Sequence, residues 1–190
     1  MSIFTFGDFK EITSQVIGEI DLYTPNAEPN PWFCKNINRK NDLQWAGYLG
    51  QIGSERKALA FGLNLEFTPA WRRVLPKIKS DFQYFSQLLS QYANYEWHWW
   101  GRPGVVAKNP KVRVLATATW TNQVDLTSWL SDLEDILEKR KKWSLDVPMR
   151  PQIQVMRQVS LLNQIMDSTI IGQNIKQIEQ ELKPLVNFLI

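Results

Sequence analysis

The stretch that decides the fold is ALAFGLNLEF, residues 58–67. Large apolar side chains occupy every second position of this stretch, at Leu59, Phe61, Leu63, Leu65 and Phe67. Small or polar residues fill the positions between them, at Ala58, Ala60, Gly62, Asn64 and Glu66. Alternation with a period of two is typical of a β-strand with one face in the core. We predict such a strand here, and its second face is either an open platform for a ligand or the seat of a helix.

Upstream of this strand, residues 43–52 show the same shift toward period two, and Gly53 and Ser54 mark a hairpin turn between the two segments. A short strand is expected at residues 32–34, after a proline-rich loop. Apolar residues recur at intervals of three and four near the N-terminus, which predicts a helix over residues 8–22. Asp8 and Glu11 have the spacing of a capping box for that helix.

Downstream, Thr68 and Pro69 are typical of a helix start, and an apolar stripe continues to Tyr92. Pro76 is expected to kink or restart this long helix. Residues 95–100 and 112–120 alternate again and predict a second hairpin, and a helix is expected from position 126 to about 143.

The C-terminal part of the chain is predicted to be a pair of helices. Pro148 and Pro151 bracket a break, after which an apolar-rich helix is expected to run to Ile171 with Gly172 ending it. A second helix then carries a narrow apolar seam at Ile175, Ile178, Leu182, Leu185 and Leu189.

These elements predict an α+β fold. It has a small antiparallel sheet of two hairpins separated by a long helix, an N-terminal helix and a C-terminal helical hairpin. We expect an α+β domain over residues 1–143 and a helical pair over residues 144–190, packed on that domain or on a partner.

Composition restricts the function classes. Among 190 residues there is one cysteine, Cys34, and one histidine, His98, so an internal disulfide and a four-ligand Cys/His zinc site are both excluded. These two residues are also the only thiol and imidazole available for covalent catalysis, and no Gly-x-Ser-x-Gly motif is present. No signal peptide or apolar run long enough for a membrane span is visible, so we expect a cytoplasmic protein that does not contact membranes. The leading hypothesis is therefore a non-enzymatic binding module without a cofactor.

Nucleic acid is the first predicted partner. The net charge is +3, and Arg72, Arg73, Lys77 and Lys79 lie on the early turns of the long helix, where cations oppose the helix dipole. We predict that these four residues contact phosphates. The second hairpin supplies the remaining predicted nucleic-acid contacts, with His98 and Trp100 stacking on bases and with Arg102, Lys108 and Lys111 holding the strand.

A protein partner is the second hypothesis. The apolar seam of the C-terminal helices is more than one helix hairpin can bury, so residues 151–190 are expected to support assembly with a partner or with a second copy.

A metal-dependent nuclease is the third hypothesis. Asp42 followed by Glu55-Arg56-Lys57 resembles the Asp…Glu-x-Lys signature of the restriction-endonuclease-like nucleases, and the order of helix, strand and hairpin is similar to their core. On the predicted hairpin, however, Asp42 and Glu55 lie some 30 Å apart at about 3.3 Å per residue. The acid pair that the hairpin brings together is Asp42 with Glu66, close to Lys40, with Glu19 on the first helix as a third acid. The resemblance implies magnesium at these acids, although Phe67 and Thr68 follow Glu66 where the signature has its lysine.

Overall fold

A computed structural model describes residues 4–27, 31–38, 43–52, 55–65, 68–92, 95–103, 116–120, 127, 134, 149–162 and 167–190. The chain divides into two compact units. The first contains Met1–Ile37, Gln44–Leu63 and Met156–Asn187, and the second contains Asn38–Leu43, Asn64–Val155 and Phe188–Ile190. The fold mixes helices and strands, as the sequence predicts.

The first helix, α1, spans Phe6–Ile17 and begins earlier than predicted. Thr5 is its N-cap. The Asp8 amide donates to Thr5 Oγ1 at 3.1 Å, and the Thr5 amide donates to Asp8 Oδ2 at 2.7 Å. The reciprocal capping box therefore joins Thr5 and Asp8, and the expected box of Asp8 with Glu11 is wrong by one helical turn. The Thr5 hydroxyl also donates to Asp8 Oδ2 at 2.6 Å. This bond contributes most, and the bond from the Thr5 amide adds to it, in holding the pKa of Asp8 below its usual range.

Gly18 ends α1 four residues before the predicted end. Its amide donates to Ser14 O at 2.9 Å, and its φ of +88° lies in the region that only glycine adopts readily. The Lys35 ammonium donates to the Ile17 carbonyl, where the helix dipole favours a cation. Glu19 thus follows the helix instead of lying on it, and its side chain is exposed.

Five strands follow one another in an antiparallel sheet. They are β1 (Leu22–Thr24), β2 (Trp32–Asn38), β3 (Leu43–Ile52), β4 (Glu55–Leu65) and β7 (Met149–Leu161), in the order β1-β2-β3-β4-β7. The predicted strand at residues 32–34 is confirmed, and the two strands predicted to form the first hairpin, β3 and β4, are neighbours in the sheet. The apolar face of β4 is buried as expected, and on its other face Gly62 and Asn64 are buried as well.

Phe33 of β2 lies at the centre of this core. Its ring centroid is 5.2 Å from that of Phe9 and 5.6 Å from that of Phe6, so α1 packs on the sheet through aromatic contacts. On the neighbouring strand β3, Gly47 has no side chain, and the Phe33 ring occupies the space that a Cβ atom would fill.

The segment after Pro148 corrects the predicted helical pair. Residues 149–161 form strand β7 where a helix was expected. Gln154, Val155 and Met156 are all buried, so both faces of the strand are covered at this point. A strand covered on both faces shows no clear alternation, and its apolar positions are then easily mistaken for a helical stripe. The boundary after residue 143 stays a prediction, because the neighbouring residues 135–148 lie outside the described part of the chain.

The last helix, α4, spans Ser168–Leu189, so Gly172 lies inside a helix that it was expected to end. The predicted seam is helical. Its members Ile175, Ile178, Leu182 and Leu185 are fully buried. A Cβ at Gly172 would touch Ile12 of α1, and Arg157 of β7 donates to Glu181 at 2.8 Å, so α4 packs between these elements inside the first unit. These four seam residues therefore belong to the core of the chain, and assembly through residues 151–190 stays a prediction.

The long helix of the prediction is two helices, α2 (Thr68–Ser80) and α3 (Phe82–Ser90), in the second unit. Pro76 lies inside α2, and the break comes at Asp81, whose φ of −128° and ψ of 45° are not helical. Five members of the predicted apolar stripe are buried, at Val74, Ile78, Phe85, Leu89 and Tyr92, and Leu75 and Phe82 are half-buried.

The predicted second hairpin consists of β5 (Glu96–Pro103) and β6 (Ala116–Trp120), which pair antiparallel. Of the helix predicted to end near residue 143, only Thr127 and Glu134 are described, and both are helical.

Candidate nucleic-acid interface

Helix α2 presents its four predicted phosphate contacts to solvent. Val74 and Ile78 face the core, and the exposed side carries Arg72, Arg73, Lys77 and Lys79. In the sequence from Thr68 to Tyr95, Asp81 is the only acidic residue. The exposed side of α2 is therefore strongly cationic. We call Arg72, Arg73, Lys77 and Lys79 the basic face.

The helix dipole explains the position of two of the four cations in the basic face. Because α2 ends at Ser80, Lys77 and Lys79 lie in its last turn, where the dipole favours cations. The expectation that all four cations oppose the dipole is therefore wrong for these two. Lys79 also forms an ion pair with Glu134. Arg72 and Arg73 lie further toward the N-terminus of α2, where the dipole gives them no such stabilisation.

An exposed aromatic residue adjoins the basic face. Lys77 Nζ lies 5.4 Å from the ring centroid of Phe188, and the ring of Tyr84 on α3 lies 5.7 Å from the same centroid. The Tyr84 side chain is 46% exposed, whereas Phe188 is buried. Phe188 therefore contacts both a cation of the basic face and an exposed aromatic ring.

Sequence reasoning missed Tyr84. It lies off the apolar stripe of the predicted helix, and an isolated exposed tyrosine is an ordinary surface feature. What distinguishes Tyr84 from other exposed tyrosines is its contact with Phe188. Because Phe188 lies near the C-terminal end of the chain, the spacing of residues in the sequence does not reveal this contact.

The predicted contacts on the second hairpin are only partly described. The register of β5 and β6 pairs His98 with Thr119 and Trp100 with Thr117. Arg102 lies near the end of β5. Lys108 and Lys111 lie outside the described residues. Contact of His98, Trp100, Arg102, Lys108 and Lys111 with nucleic acid therefore stays a prediction.

The residues of the nuclease hypothesis are not brought together in the described part of the chain. Asp42, Glu66 and Lys40 fall outside it, and Glu19 is exposed after the end of α1. Among described residues, no group of three or more His, Cys, Asp or Glu side chains is placed to hold a metal ion. The acid pair remains a prediction.

Comparison of the chain with protein-family models, curated proteins and solved structures found no match. In the described ranges, no helix combines the length and the apolar character that crossing a membrane requires. Function must therefore be inferred from the residues themselves.

Proposed function

We propose that this protein binds nucleic acid through the basic face of α2. The observation that carries the proposal is the exposure of Arg72, Arg73, Lys77 and Lys79 on one helix that contains no acidic residue. Phosphate groups are the ligands that such a surface attracts, and each contact releases bound counterions from the nucleic acid. Arginine also binds phosphate with two parallel hydrogen bonds, which suits Arg72 and Arg73 to this role.

The ion pair of Lys79 with Glu134 is compatible with phosphate binding. The side chains of these two residues are 54% and 35% exposed. Exposed ion pairs contribute only about 0 to 1 kcal/mol, because water and salt screen them. Lys79 can therefore exchange Glu134 for a phosphate at little cost.

The test compares two variants with the same change in charge. Arg72→Gln combined with Lys77→Gln removes two cations from the basic face. Lys176→Gln combined with Lys183→Gln removes two exposed cations from α4. Binding of labelled DNA and RNA oligonucleotides is followed by fluorescence anisotropy over a range of salt concentrations.

The basic-face variant is expected to bind more weakly and to show a shallower salt dependence. The slope of log K against log salt should fall by about 0.7 to 0.9 for each phosphate that the variant no longer neutralises. The α4 variant should keep the wild-type slope. Equal slopes in all three proteins, or no binding at low salt, would refute the proposal.

A further inference from the structure

Tyr84 gives the proposed interface a group that phosphate binding does not need. Its ring and the ring of Phe188 are tilted by 50° to each other, so the two rings are not stacked and much of Tyr84 stays open to solvent. An open aromatic face attracts flat rings such as unpaired nucleobases.

Tyr84 packs against a side chain that is buried, Phe188. Phe188 is 7% exposed, and it also stacks on Phe85 with centroids 5.3 Å apart and planes at 22°. Phe85 is itself buried in the core of the second unit. Phe188 contacts both Tyr84 and Lys77, so the ring and the cation share one buried neighbour. Contacts that restrict side chains before a ligand arrives lower the entropy lost on binding.

We infer that the basic face takes single-stranded nucleic acid, with Tyr84 stacking on an unpaired base while Lys77 contacts a neighbouring phosphate. This inference rests on the proposed function. In a duplex the flat faces of internal bases are stacked on each other, so a surface tyrosine cannot reach them. In a single strand every base offers such a face beside a charged backbone unit, and the pairing of Tyr84 with Lys77 matches that combination.

The test measures Tyr84→Ala and Tyr84→Phe against single-stranded and double-stranded oligonucleotides of one length, as DNA and as RNA. A 2-aminopurine base in the strand reports stacking through the loss of its emission. Tyr23→Ala is the matched control, because Tyr23 is 39% exposed and lies on β1 in the first unit.

Tyr84→Ala is expected to weaken single-strand binding roughly 5- to 150-fold and to abolish quenching of 2-aminopurine. Duplex binding should be weaker in the wild type and unchanged by the substitution. Tyr84→Phe keeps the ring and should stay close to wild type, as should Tyr23→Ala.

Two outcomes separate this inference from the proposal beneath it. In the first outcome, single strands and duplexes bind with equal affinity, the salt slope depends on the basic face, and Tyr84→Ala has no effect. This result would overturn the single-strand inference and leave the proposed function standing. If no oligonucleotide binds, or if an acidic polypeptide such as polyglutamate binds equally well with the same response to Tyr84→Ala, both are overturned.

Discussion

Substitution of Gly47 by alanine tests the packing at the centre of the first unit. A Cβ at this position would lie 2.6 Å from each Cε atom of Phe33, and closer still to its Cζ. Carbon atoms in contact are normally about 3.5 to 4.0 Å apart. The ring would therefore have to move by about 1 Å or more, and Phe33 is fully buried against Phe6 and Phe9.

The expected loss of stability is the difference of two effects. Forcing an extra methyl group into a close-packed core costs about 1 to 3 kcal/mol. Replacing glycine with alanine also reduces the freedom of the unfolded chain, which returns about 0.4 to 1 kcal/mol. The difference of these two ranges is about 0 to 2.6 kcal/mol, and the overlap with Phe33 places the expected loss for Gly47→Ala in its upper half.

Urea unfolding followed by circular dichroism measures this loss, with Gly50→Ala as the control on the same strand. A Cβ at Gly50 would lie 3.7 Å from Ala58 O, an ordinary contact, so this variant should match or exceed wild-type stability. Combining Gly47→Ala with Phe33→Leu should recover about 1 kcal/mol relative to the sum of the single effects. A stable Gly47→Ala protein, equal losses in both glycine variants, or strict additivity would refute this account of the core.

Three further substitutions test other parts of the fold. Asp8→Asn should destabilise the protein at neutral pH. Because the hydrogen bonds from Thr5 lower the pKa of Asp8 in the folded state, the ionised carboxylate stabilises the fold at pH values above the pKa of the unfolded chain. The difference in unfolding free energy between wild type and Asp8→Asn should therefore vanish as the pH falls through the folded pKa, which urea titrations at several pH values measure. Gly18→Ala should lower the free energy of unfolding by about 1 to 3 kcal/mol, because a residue with a side chain is strained at φ +88° and its Cβ would overlap Lys35 Nζ. An unchanged melting temperature would contradict this expectation. Leu182→Ala should cost about 2 to 5 kcal/mol without changing the molar mass in light scattering, whereas a change in mass at constant stability would favour assembly through the seam.

The elements that the sequence predicts well are those with one clear periodicity. Residues 58–67 alternate, and β4 lies there. The apolar stripe of α2 and α3 has helical spacing, and five of its members are buried. In both cases one face packs on the core, so the pattern of side chains reports the structure directly.

The incorrect predictions arise where two patterns fit the same residues. Strand β7 is covered on both faces at Val155 and its neighbours, which removes the alternation that distinguishes a strand from a helix. At the N-terminus, two capping boxes fit the sequence one turn apart. The box of Thr5 with Asp8 also places Phe4 and Phe9 at the two positions of a hydrophobic staple, and both are buried, so this second signal distinguishes the two.

The candidate interface was predictable in part. The cations of the basic face are visible as a run without acids, but their relation to the helix dipole depends on where α2 ends. Asp81 sets that end, while Pro76 is the stronger helix breaker in the sequence. Tyr84 could not be assigned to the interface from sequence, because its contact with Phe188 joins distant parts of the chain.

The central claim is that nucleic acid contacts the protein through α2 and α3. Photo-crosslinking to a single strand that carries 4-thiouridine tests it most directly, because mass spectrometry of the digested complex identifies the contacted peptides. We predict crosslinks within residues 68–92, with Tyr84 among the modified positions, and their loss at high salt. Crosslinks confined to α1 or to residues 168–187 of α4, or an unchanged pattern after Arg72→Gln with Lys77→Gln, would contradict it.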